Sequence, residues 1–258
     1  MRGRVLAGPA EAGRVQSIFE RALNILWHDG GLITLHGPGP LAAPFAAAVM
    51  RLPRSGSVTP GTAVVRHDRR MLLGPFVLDT EGATSVDVTI PPATGGARFL
   101  ASAFRGLAIP AGGSGLSSPR GRSAQRELAD GIRHRDGEAF VKAACALIGL
   151  GEGLTPAGDD CLVGALAVLH RFRPAWLTDH LDLGAQIATA ARAGTTMVGR
   201  EFILHALDGA FSEHILRVVA ASGGEDVRRA VTALAETGGT SGVDTLDGIR
   251  IALEALSP

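Results

Sequence analysis

Tyrosine is absent from the 258 residues, and aromatic residues make up only 4%. The core must therefore be built from Ala, Leu, Val and Ile. Lysine occurs once, at Lys142, so nearly every cation is an arginine. Neither sign of charge is in excess. The 25 basic and 25 acidic residues cancel, which argues against nucleic-acid or membrane-surface binding through bulk charge. Two cysteines, Cys145 and Cys161, cannot make a disulfide framework and read as small buried hydrophobes. No uninterrupted apolar run reaches the ~20 residues of a membrane span. The opening MRGRVLAGPAEAGRV lacks the apolar segment of a secretory signal. These absences lead to the expectation of a cytoplasmic protein.

Glycine is the residue in surplus, with 35 of them, so tight turns and close backbone approaches should be frequent. The hydrophobic share of 46% supplies a sizeable core. Arg14 to Trp27 shows a helical apolar stripe, and the Ala-rich stretch Leu41 to Leu52 suggests a short helix. From Thr59 to Ile90 the texture changes to short Val-, Leu- and Thr-rich runs parted by turn signals. There Ser85 to Ile90 alternates as a half-buried strand does. Arg98 to Leu107 suggests a helix. Ala111 to Arg122 is rich in Gly and Ser and reads as a linker or mobile loop. Helical patterns then cover Ser123–Arg135, Glu138–Leu147, Asp160–Phe172, Thr178–Arg192, Glu201–Leu207, Ser212–Ala220, Asp226–Glu236 and Asp244–Leu256. The expected class is α+β. A smaller N-terminal part with short antiparallel strands (1–110) and a linker (111–122) precede a helical domain (123–258).

The most specific stretch is GLGEGLTPAGDDCLVGALAVL, from Gly149 to Leu169. Glycines at every second position, Gly149, Gly151 and Gly153, lead through Thr155 and Gly158 to Asp159 and Asp160, and then to an uncharged apolar helix. Amides of Gly151 to Gly158 and the helix start suit an anion. The two acids repel a bare phosphate. Chemistry that needs both places a divalent cation such as Mg²⁺ between acid and phosphate, with Asp159 and Asp160 as its ligands. The alternative is that Asp159 only caps the helix while Asp160 works alone. A phosphate-binding loop of the Gly-Lys-Ser/Thr type is excluded, because Gly-Asp-Asp stands in its place.

A second stretch repeats the pattern. Gly158-Asp159-Asp160-Cys161-Leu162-Val163-Gly164 and Gly242-Val243-Asp244-Thr245-Leu246-Asp247-Gly248 both read G-x-D-x-L-x-G. In each, the acid lies near a helix start, and a glycine four residues on leaves room for close approach. Ser241 and Asp244 fit a capping box with Asp in place of Glu. The repeat suggests two loop-to-helix units facing one site. A third stretch, AGTTMVGRE, offers the Thr195 and Thr196 hydroxyls and the Arg200 fork for phosphate or carboxylate. His205 and His214 lack the spacing of a metal pair.

GLGEGLTPAGDD resembles the signature of the AllH-like family. VQSIFERALNILWHDGGLITL (Val15 to Leu35), TTMVGREFILHALDGAFS (Thr195 to Ser212) and TSGVDTLDG (Thr240 to Gly248) resemble it too. The chain departs from the pattern at Ala157, where the family usually has Ser, and at Gly239, where it usually has His. The resemblance implies a subunit acting with FdrA-like and AllG-like partners. That assembly, an oxamate carbamoyltransferase of allantoin breakdown, exchanges oxalurate and phosphate for oxamate and carbamoyl phosphate.

The expected function is a subunit of a carbamoyl- or acyl-transferase complex. The alternatives are a non-catalytic assembly or regulatory subunit, and a stand-alone metal-dependent hydrolase. Under the first reading Asp160, Asp244 and Arg200 carry catalysis. Gly151, Gly153, Thr155, Gly158, Asp159, Thr195, Thr196 and Ser241 hold substrate or phosphate.

Overall fold

The computed structural model describes residues 11–39, 42–53, 56–93, 95–110, 114–172 and 183–257. Its backbone contacts divide the chain into two units, Met1–Val88 and Thr89–Pro258. Strands in the first and helices in the second make the chain α+β.

The first unit holds one seven-stranded sheet in the order β4-β3-β2-β1-β5-β6-β7. The strands are β1 (Glu11–Ile18), β2 (Ala22–Trp27), β3 (Leu32–His36), β4 (Ala46–Ala48), β5 (Ala63–His67), β6 (Arg70–Leu73) and β7 (Phe76–Asp79). All neighbours are antiparallel except β3 and β4. Val15, Leu23, Ile25, Trp27, Val64, Met71 and Leu73 form its core. The helix expected over Arg14 to Trp27 is instead the β1–β2 hairpin. A register shift between Val15 and Ser17 changes the phase of the buried side chains. Counted along the chain, two period-2 runs offset by a bulge and a turn imitate a spacing of three and four. Asn24 sits buried between the strands, donating to Ser17 Oγ (3.0 Å) and accepting from Thr34 Oγ1 (2.7 Å).

Two further expectations change. Leu41 lies outside the described residues. The rest of that Ala-rich stretch yields β4, since Pro44 disfavours a continuing helix. Ser85 to Ile90 forms no strand. Residues 81–87 are exposed, and Thr89 makes only an isolated bridge with Ala210. Alternation gives a strand its faces but does not provide a neighbour to pair with.

The second unit contains α1 (Ala97–Arg105), α2 (Ser114–Ser117), α3 (Pro119–His134), α4 (Gly137–Leu147), α5 (Ala157–Phe172), α6 (Leu183–Gly194), α7 (Met197–Leu207), α8 (Glu213–Ala220), α9 (Gly224–Ala235) and α10 (Ser241–Leu256). Residues 111–113 lie outside the described set, as does the expected helix start at Thr178. The remainder of the Gly- and Ser-rich stretch is helical. Ser118 caps α3 by accepting the Gly121 N–H (3.0 Å), and Pro119 occupies its first turn, a pairing that starts helices well. Among the described residues no helix is long and apolar enough to cross a membrane.

Helix α5 is the centre of the unit: every residue from Ala157 to Leu169 is buried. Its most extensive helix contact is with α10, and four glycines set how close that contact is. A Cβ on Gly164 would lie 2.0 Å from the Thr245 carbonyl oxygen, and one on Gly248 would lie 1.8 Å from that of Cys161. The contact is reciprocal, each helix pressing its glycine onto the other's backbone. The leading glycines repeat the device against the preceding helices: a Cβ on Gly158 would lie 2.0 Å from the Leu147 oxygen, and one on Gly242 1.7 Å from that of Leu234. The two G-x-D-x-L-x-G segments are therefore packed against each other. Free Cys161 is fully buried in this contact, and burial pushes its thiol well above the ordinary range.

Gly248→Ala should lower the stability of this unit by at least ~1–3 kcal/mol, the usual effect of overpacking. Gly184→Ala meets nothing within 4 Å and should be neutral or slightly stabilising through helix propensity. Denaturant melts of the two variants check the pair; equal stabilities would contradict the close helix contact.

Candidate functional site

The site forms where the N-terminal ends of α5, α7 and α10 meet the loop 148–156. The loop glycines adopt left-handed backbone, with φ of 72° at Gly149, 118° at Gly151 and 95° at Gly153, which glycine alone adopts without strain. Gly149 also leaves no room for a side chain, since its Cβ would lie 2.1 Å from the Gly194 carbonyl oxygen. Gly151 is backed by α2, whose Gly115 would place a Cβ 2.8 Å from the Gly151 Cα. The sequence pattern gave no sign of that contact, since Ala111 to Arg122 reads as a linker or mobile loop.

Asp159 and Asp160 face different neighbours, as adjacent helical residues do. Asp159, 1% exposed, accepts the Gly149 N–H at Oδ1 (2.7 Å) and the Thr195 hydroxyl at Oδ2. Gly199 of α7 is pressed against the same carboxylate, a Cβ there meeting Oδ2 at 2.2 Å. Asp159 is thus no cap of its own helix; it ties the loop and the start of α7 to α5. Burial raises its pKa, while the Thr195 and Gly149 hydrogen bonds oppose the rise. Each Asp159 oxygen thus accepts one hydrogen bond. Among the described residues no group of three or more His, Cys, Asp or Glu side chains is placed to hold a metal ion.

Asp160, 7% exposed, faces α10. The Ser241 and Thr155 hydroxyls hydrogen-bond its carboxyl group and lie 2.7 Å from each other. Its Oδ2 is shut off from solvent and has no hydrogen-bond partner among the described residues. Burial holds its pKa well above the ordinary carboxylate range, and the charges of Asp244 and Asp159 add to the rise. Asp244, with no exposed surface, comes from the equivalent position of the second motif. The capping box expected of Ser241 and Asp244 does not form. Thr240 is the N-cap of α10 and makes no side-chain cap bond, because the Ser241 hydroxyl is turned to Asp160 and Thr155.

The other expected residues divide into engaged and available groups. Thr195 donates to Asp159. Thr196 caps α7 through the Gly199 N–H (3.0 Å) and donates to the Leu154 carbonyl. Both hydroxyls thus brace the loop. The Arg200 guanidinium pairs with the Glu201 carboxylate at 2.9 Å. Gly158 donates its N–H to the Leu150 oxygen (2.8 Å), and Asp159 and Asp160 donate theirs to the Pro156 oxygen (2.9 and 3.2 Å). The amides of Gly151, Glu152, Gly153, Leu154 and Thr155 carry no hydrogen bond among the described residues, and Gly151 to Leu154 are exposed. Within the stretch expected to cradle an anion, Gly151 to Gly158, the Gly158 amide is engaged and those of Gly151 to Thr155 are not. His205, beside Glu201 and Asp208 on α7, has its pKa lowered by burial.

The adjacent acids should respond oppositely to mutation. Asp159→Ala leaves the Gly149 amide and the Thr195 hydroxyl without their acceptor and should cost ~1–3 kcal/mol. Asp160 has a raised folded pKa, so the unfolded chain releases its proton first and wild-type stability falls as pH rises above about 4. Asp160→Asn removes that loss. Its melting temperature should match wild type near pH 4 and exceed it at pH 7. A pH series of thermal melts reads both effects.

No match is found among curated proteins or among solved structures. Two family models do match. Residues 3–85 match the AllH family N-terminal domain, and residues 147–253 match a family described as oxamate carbamoyltransferase subunit AllH. The second match contains the glycine loop, both acid motifs and the start of α7, and together the two matches cover most of the chain. The chain therefore belongs to the AllH family.

Proposed function

We propose that this chain supplies a carbamoyl-phosphate-binding site to a multi-subunit carbamoyltransferase, working with FdrA-like and AllG-like subunits on oxamate-type substrates. The observation that carries the reading is the buried pair Asp160 and Asp244 beneath a loop of unengaged amides. Two carboxyl groups accept hydrogen bonds from an amide nitrogen, and backbone N–H groups with helix N-termini attract phosphate oxygens. The two ends of carbamoyl phosphate ask for those two partners.

In the phosphorolysis direction a phosphate oxygen attacks the carbamoyl carbon of oxalurate. The new C–O bond forms, the C–N bond to oxamate breaks, and the departing nitrogen takes up a proton. This chain's part is positioning and charge stabilisation. The amides of Gly151 to Thr155 hold phosphate. Asp160 and Asp244 orient the carbamoyl nitrogen, with the Thr155 and Ser241 hydroxyls beside them. Asp159, Thr195 and Thr196 keep the loop in place, and Arg200, held by Glu201, adds positive charge on α7. No step is assigned to Mg²⁺.

Carbamoyl phosphate at a hundred times its Kd should stabilise the full chain by about 2.7 kcal/mol, a rise in melting temperature of several degrees. Asp160→Asn, folded by circular dichroism, should lower turnover of the assembled enzyme ~10²–10³-fold. Full activity in that variant would remove Asp160 from the site. Absence of any thermal shift would favour a subunit that serves assembly alone.

A further inference from the structure

Asp160 Oδ2 is a buried acceptor left without a donor, and such a group is destabilising unless a ligand completes it. Everything around it narrows that ligand. Asp244 is close enough to raise the Asp160 pKa, so a ligand carboxylate would add a further like charge where like charges are already disfavoured. The Thr155 and Ser241 hydroxyls, 2.7 Å apart, are already engaged with each other and with the Asp160 carboxyl group. A methyl or other apolar group would leave Oδ2 unpaired, whereas an uncharged –NH2 group donates into it and stays neutral.

We propose that Asp160, with Asp244 beside it, makes this site select a primary carboxamide over the methyl ketone or carboxylate of the same shape. The inference rests on the carbamoyl-phosphate reading above and adds the element that distinguishes carbamoyl from acetyl. Phosphonate probes separate the two ends of the ligand. Phosphonoacetamide carries –NH2, acetonylphosphonate has –CH3 in its place, phosphonoacetate has a carboxylate, and inorganic phosphate reports the loop alone. A site built to hydrogen-bond an N–H rejects the analogue that lacks it.

Calorimetric titration of the full chain, with and without Mg²⁺, is the test. Phosphonoacetamide should bind roughly ten- to a hundredfold more tightly than acetonylphosphonate, with phosphonoacetate weaker still and Mg²⁺ without effect on the ranking. Asp160→Asn should erase the preference while inorganic phosphate still binds. Equal wild-type affinities for amide and ketone would overturn the selection while leaving the phosphate site standing. A preference that survives Asp160→Asn, or that appears only with Mg²⁺, would overturn it as well. Failure of all the probes, inorganic phosphate included, would sink the carbamoyl-phosphate reading and this inference together. The wild-type comparison decides the matter even where the variant fails to fold.

Discussion

The site depends on one contact, the mutual pressing of glycine onto backbone between α5 and α10. With Gly164 against the Thr245 carbonyl and Gly248 against that of Cys161, the helices approach more closely than any side chain would permit. Asp160 and Asp244 each stand one helical turn before those glycines. The same contact that brings the backbones together therefore forces two carboxyl groups into shared buried space. Burying like charges is unfavourable, and the raised pKa of Asp160 is the sign of it. Packing alone would accept apolar residues at both positions. Asp160 and Asp244 stand there instead, and one Asp160 oxygen has no hydrogen-bond partner among the described residues.

The adjacent acid works in the opposite sense. A residue's side chain turns about 100° from that of its neighbour around a helix, so Asp159 and Asp160 address different elements from one helix start. Asp159 is fully provided with donors and links Gly149, Thr195 and the first turn of α7. Asp160 looks toward α10 and is underprovided. One acid fixes the geometry of the loop, and the other is held available by it.

Much of this was legible in the chain. The spaced loop glycines, the repeated G-x-D-x-L-x-G and the close approach implied by Gly164 and Gly248 are local signals, and local signals survive into the fold. The helices from α3 onward were visible through their 3.6 periodicity. What could not be read depended on partners distant in sequence. The Arg14–Trp27 stripe satisfies helix spacing as well as a bulged hairpin does, and only β5 and β3 on either side decide between them. Ser85–Ile90 has the pattern of a strand without a neighbour. Ser241 looked like a cap because its relation to Asp244 is local, whereas the stronger claim on its hydroxyl comes from Thr155 and Asp160. For Thr195 and Thr196 the residue type was informative and the role was not: a hydroxyl near a loop can touch a ligand or brace the loop, and these two brace it.

The two motifs are alike in their helices and unlike in what leads into them. Residues 148–156 between α4 and α5 form a long turn with left-handed glycines and exposed amides, braced by Thr196 and by the Thr155–Ser241 contact. Residues 236–240 between α9 and α10 make a short one, where the Thr237 and Gly242 amides are already paired with the Leu234 and Thr237 carbonyls. The amides of Gly238, Gly239 and Thr240 are exposed and carry no hydrogen bond among the described residues, so both connections offer backbone donors, and the longer one differs in its three left-handed glycines and in the side chains that brace it.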